Sequence, residues 1–469
     1  MMTWSWRLER AYWATEIPVL VRRGWWLLVL IVVLTMFNAI PFVGQLINWL
    51  LVVAIGTVVV RRVIASLRFA TLERDRWQFQ MANWITGVWP SLAVQLGLEV
   101  RTYSGQKLVT GAGRPTWHGD TCILPVSMPA GLAREDLVAA SGRIAQAFNA
   151  VRVTVTGAHV GELALRIDYV DALAEPFSFP LGGTWDGASV LMGVTDGGEE
   201  WRLPLGPHTL VAGSSGSGKA SLVWGLLLGL VQPIHSGLVE VWGIDRKGGM
   251  ELAMGRDLLT RFASDAAHSV ALLEEAVQVM QARARDLAGV TRQHTATAES
   301  PTVVVLIDEL AALTAYETDR EMLRRANAAI ATLASQGRAV GFILFACLQD
   351  PRKETLPARG LFTQTVGLRL RDRVETGMVL GDGAVAAGAM CHEISPRTPG
   401  VAYVLPEDGA PPERVRAAYA ADEQIRDAAL GYFAPNPRPI ELPEADDGPK
   451  PRRPRARRNR ETTETKEES

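Results

Sequence analysis

Cysteine is scarce in this sequence, and its few positions form no recognisable pattern. Cys122, Cys347 and Cys391 lie far apart and show no CxxC or CxH spacing. This argues against a disulfide framework or a zinc site and favours a reducing compartment such as the cytoplasm. An excess of one charge is also missing, since 48 Lys and Arg nearly balance 50 Asp and Glu, for a formal net charge of -2. Any surface that binds a polyanion must therefore be local.

Charged residues are absent from the whole run 24–60. One helix of this length would measure roughly 55 Å, well beyond the ~30 Å hydrocarbon core of a bilayer, so two spans are needed. We predict a transmembrane helical hairpin at residues 24–62, with spans at 25–40 and 42–60. The arginines that flank it are Arg22, Arg23, Arg61, Arg62 and Arg68. Their positive charge predicts a multi-pass cell-membrane protein with both termini in the cytoplasm.

Two other interpretations of this apolar run fit less well. A cleaved signal peptide would require an A-x-A-like site after the first segment, whereas a second apolar span follows at once. A buried hairpin of a soluble protein would be apolar on one stripe, whereas both runs are apolar all round.

The rest of the chain is predicted to form a connector, two folded domains and a tail. Its 469 residues exceed the roughly 250 to 300 at which a single core stops growing. Residues 1–23 are a cytoplasmic segment, 63–100 a helical connector and 101–175 a small α+β domain. From 176 to 434, apolar strands alternate with helices, which is typical of an α/β fold with a parallel sheet. Residues 435–469 are rich in Pro, Arg, Glu and Thr and are predicted to be a disordered tail.

A phosphate-binding loop is predicted where a strand-like run ends at Ala212 and an apolar helix follows. Its glycines let backbone amides surround phosphate oxygens, the helix N-terminus adds a favourable dipole, and Lys219 supplies charge for the β and γ phosphates. A glycine- and serine-rich turn that binds nothing is the alternative. The candidate nucleotide-binding residues are Gly213, Ser214, Ser215, Gly216, Ser217, Gly218, Lys219, Ala220 and Ser221.

The residue after the lysine departs from the usual P-loop pattern. A Ser or Thr that binds Mg²⁺ is normal there, but this chain has Ala220, and the hydroxyl comes one place later at Ser221. One residue on a helix means about 100° of rotation, so Ser221 cannot simply replace the missing ligand. Ser221 is retained as a candidate Mg²⁺ ligand.

Polar residues end two later apolar runs, and they complete the predicted catalytic set. Asp308 and Glu309 follow the strand-like run 303–307, so Asp308 is predicted to hold Mg²⁺ through water and Glu309 to polarise the attacking water. An acidic helix start is the alternative. Gln349 ends the run 341–348 and is well placed to sense the γ-phosphate. With Lys219 as the fourth catalytic residue, the site is predicted to hydrolyse ATP with Mg²⁺.

Four stretches together resemble the FtsK/SpoIIIE family of DNA-pumping ATPases. They are LVAGSSGSGK at 210–219, IDRKGGMEL at 244–252, VLIDEL at 305–310 and GRAVGFILFACLQ at 337–349. The chain is similar in particular to the actinobacterial branch found on integrative and conjugative elements (Tra-like). Members of that branch also lack a Ser or Thr directly after the P-loop lysine.

The resemblance implies a RecA-like motor, assembled as a homo-hexamer, that passes double-stranded DNA through a central channel by hydrolysing ATP. It also implies that Gln349 couples the site to neighbouring subunits. An arginine finger from an adjacent subunit is expected as well, with Arg369, Arg371 and Arg373 as candidates.

The predicted function is therefore a membrane-anchored DNA translocase, for conjugative transfer of a plasmid or integrative element or for chromosome partition at cell division. A type VII secretion-like ATPase that moves protein is one alternative, although such proteins usually carry several ATPase modules and only one is found here. A membrane scaffold that binds nucleotide without hydrolysis is the other, and Ala220 is what suggests it.

Overall fold

The computed structural model describes residues 41–157, 163–180, 183–352 and 359–442. The predicted N-terminal segment, the first predicted span and most of the predicted tail lie outside these residues. The chain divides into two units, Met1–Trp89 and Pro90–Ser469. Within the described part of the chain, no helix combines the length and the apolar character that a membrane span requires.

One long helix, α1 (Pro41–Gln95), contains the second predicted span and most of the predicted connector. No proline lies between Pro41 and Pro90, so nothing in this stretch removes a backbone donor from the helical ladder. The two pieces that we predicted separately are thus continuous in secondary structure.

Two small antiparallel sheets and a helix follow α1, in the region where an α+β domain is predicted. The strands of the two sheets are β1 (Glu99–Arg101), β2 (Lys107–Val109), β3 (Gly111–Ala112), β4 (Thr116–His118), β5 (Thr121–Ser127), β6 (Arg152–Thr156) and β7 (Ala164–Asp168). β1 and β2 pair with each other, while the other strands form a sheet of order β3-β5-β7-β6 with β4 beside β5. Helix α2 (Arg134–Ala147) buries Leu137 and Ile144 and packs against β6.

A larger sheet forms the core of the remaining chain. Its strands are β8 (Ser189–Thr195), β9 (Glu200–Pro204), β10 (Thr209–Ala212), β11 (Val239–Ile244), β12 (Arg261–Ala263), β13 (Thr302–Ile307), β14 (Phe342–Leu348), β15 (Gln364–Gly367), β16 (Val401–Leu405) and β17 (Glu413–Ala417). The order is β12-β11-β13-β14-β10-β15-β16-β17-β8-β9. From β12 to β15 all pairs are parallel, which confirms the predicted parallel sheet. The remaining strands extend it in antiparallel pairs, which the sequence did not predict.

Helices cover both faces of the parallel part of this sheet. They are α3 (Lys219–Gly229), α4 (Val231–His235), α5 (Ala266–Leu287), α6 (Ala311–Thr314), α7 (Arg320–Gln336), α8 (Arg373–Leu380), α9 (Asp382–Ala386) and α10 (Asp422–Gly431). Val304 and Leu306 of β13 pack in one core with α3, whereas Val303, Val305 and Ile307 pack in another with α5 and α7. Because successive side chains of a strand point to opposite faces, a strand covered on both faces must be apolar throughout.

A network of charged residues joins the small domain to the larger sheet. Arg414 of β17 donates to Asp171 at 2.8 Å and to Asp196 at 3.2 Å, and Arg152 of β6 also pairs with Asp196. Burial alone would raise the pKa of Asp171, but the Arg414 guanidinium brings it below its usual value. The ionised network therefore holds the two sheets together at neutral pH.

Candidate active site

The carboxyl edge of the parallel sheet gathers the predicted site residues. The strand ends are aligned there, because Ala212 is paired with Leu348, and Ile307 with both Ile244 and Ala346. The residues that directly follow these strands therefore face one another. A cleft of about 410 Å³ lies over this edge, between the P-loop, the ends of β11, β13 and β14, and a far wall near β17.

The predicted P-loop, residues 213–219, wraps around the start of α3. It is tied to neighbouring strands, since the Gly213 amide donates to the Leu348 carbonyl at 3.0 Å. Gly216 and Gly218 have positive φ of 69° and 100°, which L-residues with a side chain rarely adopt. α3 begins at Lys219 directly after the loop, so the free amides at its N-terminus adjoin the cleft. Such a loop at a helix N-terminus is a ready anion site.

Lys219 lies inside this loop and lines the cleft. Its ammonium donates to the carbonyls of Gly213 at 2.7 Å and Ser214 at 3.1 Å. Burial lowers the pKa of Lys219, while the nearby Cys347 and Glu309 act in the opposite direction. Its positive charge is thus held at the place where the loop would receive phosphates.

The acidic pair is buried at the end of β13. Asp308 and Glu309 are 4% and 7% exposed. Asp308 accepts a hydrogen bond from the Lys247 ammonium at 2.7 Å. Glu309 accepts one from the backbone amide of Gln349 at 3.2 Å, and burial raises the pKa of Glu309. A carboxylate with a raised pKa is suited to general-base catalysis near neutral pH, so the geometry is compatible with the predicted division of roles.

Gln349 lies at the end of β14 and lines the cleft, beside the acidic pair. Its contact with Glu309 is made by the main chain, which leaves its side-chain amide available to the cleft. Its role as a γ-phosphate sensor stays a prediction.

The residues present fit a Mg²⁺ ion that is held mainly by nucleotide. In the described residues, no group of three or more His, Cys, Asp or Glu side chains could hold a metal. Mg²⁺ in phosphate-binding sites, however, usually takes one or two carboxylates, phosphate oxygens and water. Asp308 faces the cleft with a cation, the Lys247 ammonium, already against it. Ala220 and Ser221 also line the cleft, and Ser221 stays a predicted ligand.

Two cleft residues were not assigned a role from the sequence. Lys247, the third residue after β11, pairs with Asp308. Glu251 accepts a hydrogen bond from the Trp224 indole at 3.1 Å, and burial together with the Asp308 charge raises the pKa of Glu251. The only sequence signal was the position of Lys247 soon after an apolar strand run, and Glu251 lies four residues further on.

The far wall of the cleft gave no sequence signal. It contains Pro176, Pro399 and Tyr419, of which Tyr419 is 56% exposed. No local sequence pattern links these positions to the P-loop, because strand pairing between distant parts of the chain brings them to the cleft. The amide of Gly400 donates to the Ser217 carbonyl at 2.9 Å, so this wall also braces the loop.

The three candidate arginine fingers lie in different surroundings. Arg369 follows β15, and its guanidinium donates to the Ser215 carbonyl of its own P-loop at 2.9 Å. Arg371 and Arg373 are exposed at the start of α8. Arg369 therefore supports the loop within its own chain, and a finger role for Arg369, Arg371 or Arg373 stays a prediction.

Comparisons with known proteins find similarity to the FtsK/SpoIIIE family. The FtsK/SpoIIIE family model matches residues 190–297, which include the P-loop. The DNA translocase FtsK of Halalkalibacterium halodurans is 27% identical over 271 residues, covering 50% of this chain and 31% of the relative. That of Bacillus cereus is 26% identical over 314 residues, covering 59% and 35%. The chain thus spans about a third of the length of these relatives.

Two solved structures show a limited similarity to this chain. The pCW3 conjugation coupling protein TcpA, as a monomer with ATPγS, has a TM-score of 0.49 and 18% identity, covering 74% of this chain and 98% of that chain. The cytoplasmic domain of the type VII secretion ATPase EccC of Thermomonospora curvata has a TM-score of 0.44 and 21% identity, covering 59% and 35%.

The family match, the named relatives and the P-loop beside a buried acidic pair agree with the resemblance in the sequence. This chain contains a domain that matches the FtsK/SpoIIIE family model, and it is similar to proteins named DNA translocase FtsK.

Proposed function

We propose that this chain is a membrane-anchored, ATP-driven translocase of double-stranded DNA that works in conjugative transfer or chromosome partition. The observation that carries the proposal is the likeness to proteins named DNA translocase FtsK, in a chain whose family domain contains the P-loop. A homo-hexamer is part of the proposal, since a motor of this kind encloses its track.

ATP hydrolysis in this site would divide among four residues. Lys219 and the loop amides bind the phosphates, and Glu309 takes a proton from the attacking water. Asp308 would hold Mg²⁺ through water, and the metal when bound neutralises charge on the phosphates. The backbone amide of Gln349 donates a hydrogen bond to the Glu309 carboxylate at 3.2 Å, so a shift at the end of β14 would move the base. This contact is the proposed link between hydrolysis and motion.

Stimulation by DNA is the first expected result. Purified full-length chain should hydrolyse ATP about tenfold faster with linear double-stranded DNA than without it, because a translocase couples turnover to its track. The measurement is steady-state phosphate release at saturating MgATP. Single-stranded DNA and heparin of equal charge serve as controls for a plain polyanion effect.

Two outcomes would contradict the proposal. If double-stranded DNA does not accelerate turnover, DNA is not the substrate of the motor. Retention of a protein substrate without DNA affinity would favour the secretion alternative. No turnover under any condition would instead favour the non-hydrolysing scaffold that Ala220 suggests.

Membrane anchoring is the second expected result, and it rests on the uncharged run 24–60 and its flanking arginines. Membranes from expressing cells should retain the chain during alkaline carbonate extraction. Paired Ile31→Arg and Val53→Arg substitutions should release it, because an arginine at the centre of a span costs about 3 kcal/mol. Val290→Arg, at a position 79% exposed in the ATPase domain, is the matched control and should stay with the membrane. Release of the parent chain by carbonate would refute the anchor.

A further inference from the structure

The contact between Lys247 and Asp308 is the feature that the proposed hydrolysis scheme leaves unexplained. The Lys247 ammonium lies 2.7 Å from a carboxylate oxygen of Asp308, whose side chain is only 5% exposed. The Lys247 side chain is 42% exposed and lines the same cleft as Gly216 and Lys219. A buried carboxylate without a partner is unfavourable, so this ammonium provides the counter-charge that the buried Asp308 needs.

The main chain around Lys247 is held in place, whereas its side chain has room to move. The Asp245 carboxylate accepts hydrogen bonds from the amides of Lys247 at 3.0 Å, Glu251 at 2.8 Å and Leu252 at 3.1 Å. Gly248 and Gly249, with φ of 74° and 82°, form the turn within this loop. A lysine has a flexible four-carbon stem, so its ammonium can swing while the backbone stays fixed.

A metal ion and this ammonium would compete for one carboxylate. Mg²⁺ bound near Asp308 would bring two positive charges against the lysine, which repels it. The phosphate oxygens that arrive with the metal would occupy the same cleft and offer the ammonium another anionic partner. The hydroxyl that usually binds Mg²⁺ is absent at Ala220, so the Lys247 ammonium would contribute more to phosphate binding than it would in a usual P-loop site.

We propose that Lys247 is an exchangeable counter-ion of the nucleotide site. It neutralises Asp308 before MgATP binds, and it moves to the phosphate oxygens when the metal takes its place. The Asp308 carboxylate is then paired with a cation both with and without MgATP. Nucleotide binding therefore depends less on the metal than the presence of alanine at position 220 alone would suggest. The inference rests on the nucleotide site that the proposed function uses, but it does not require DNA.

The test is the affinity for mant-ADP, a fluorescent ADP analogue, measured with the full chain in MgCl₂ and in EDTA, without DNA. In EDTA, Lys247→Met should weaken binding about tenfold, because the uncompensated Asp308 then repels the phosphates. In MgCl₂ the loss should stay within about threefold, because the metal supplies the missing charge. The affinity in MgCl₂ divided by the affinity in EDTA should therefore be higher for the variant than for the parent.

A double variant separates a counter-ion from a plain phosphate ligand. Lys247→Met combined with Asp308→Asn removes both charges and should restore binding in EDTA to within about threefold of the parent. Lys107→Met, on the exposed hairpin β1-β2, is the matched control and should change neither affinity. An equal loss with and without Mg²⁺, no loss in EDTA, or a double variant as weak as the single one would overturn the proposal. These affinity measurements contain no DNA, so a failure of DNA to stimulate turnover would not change their outcome.

Discussion

Glu309→Gln should reduce ATP turnover by roughly 10² to 10⁴-fold, the size expected when a general base is lost. Glutamine keeps the shape of the side chain and an oxygen that can accept the hydrogen bond from the Gln349 backbone amide, but it cannot take a proton from water. Affinity for mant-ATP should stay within about threefold of the parent, because the phosphates are bound by the loop and Lys219. The measurements are steady-state phosphate release and equilibrium mant-ATP binding.

The matched control for this substitution is Glu423→Gln, at an exposed position on α10. It makes the same chemical change at a residue that does not line the cleft and should leave turnover unaltered. Turnover of the Glu309→Gln variant above about a tenth of the parent value would show that another group activates the water.

The pH dependence of turnover should report the same residue. Burial raises the pKa of Glu309 above its ordinary value, so the ionised base is lost as pH falls through that raised pKa. Activity should therefore fall on the acid side at a higher pH than an exposed glutamate would give. The ordinary value for an exposed Glu is about 4.3, and an acid limb at or below it would contradict the assignment.

The local parts of the site could be predicted from the sequence. The P-loop is one contiguous stretch between a strand and a helix, and Asp308 follows directly on an apolar strand. In a parallel sheet covered by helices, the carboxyl ends of the strands meet at one edge. This rule alone predicts that Lys219, Asp308 and Gln349 lie close together. The resemblance to the FtsK/SpoIIIE family could be recognised for the same reason, because its motifs are local as well.

Contacts across long sequence separations could not be predicted. Lys247 and Asp308 are 61 residues apart, and their pairing depends on β11 and β13 being neighbours in the sheet. Strand order is a tertiary property that apolar patterning does not encode, since every buried strand looks alike. The same limit hid the antiparallel extension from β16 to β9 and the far wall at Tyr419.

Gly218 shows how strongly that far wall restricts the P-loop. Its φ is 100°, and a Cβ added there would overlap the backbone nitrogen of Gly400 and lie 2.8 Å from the Gly400 Cα. Both obstacles are main chain, which cannot rotate away as a side chain can. The loop fits only because glycine leaves this space free, while the Gly400 amide donates to the neighbouring Ser217 carbonyl.

Gly218→Ala should therefore weaken mant-ATP binding by about 100-fold, equal to about 2.7 kcal/mol, because the loop must move away from its phosphate-binding shape. Gly187→Ala is the matched control, since Gly187 has nearly the same φ, 99°, but nothing within 4 Å of an added Cβ. That variant should lose only about 1 kcal/mol of stability and no affinity. Equal affinities for the two variants would mean that contact with Gly400 does not shape the loop. Thermal unfolding measured in parallel distinguishes a displaced loop from a globally unfolded chain.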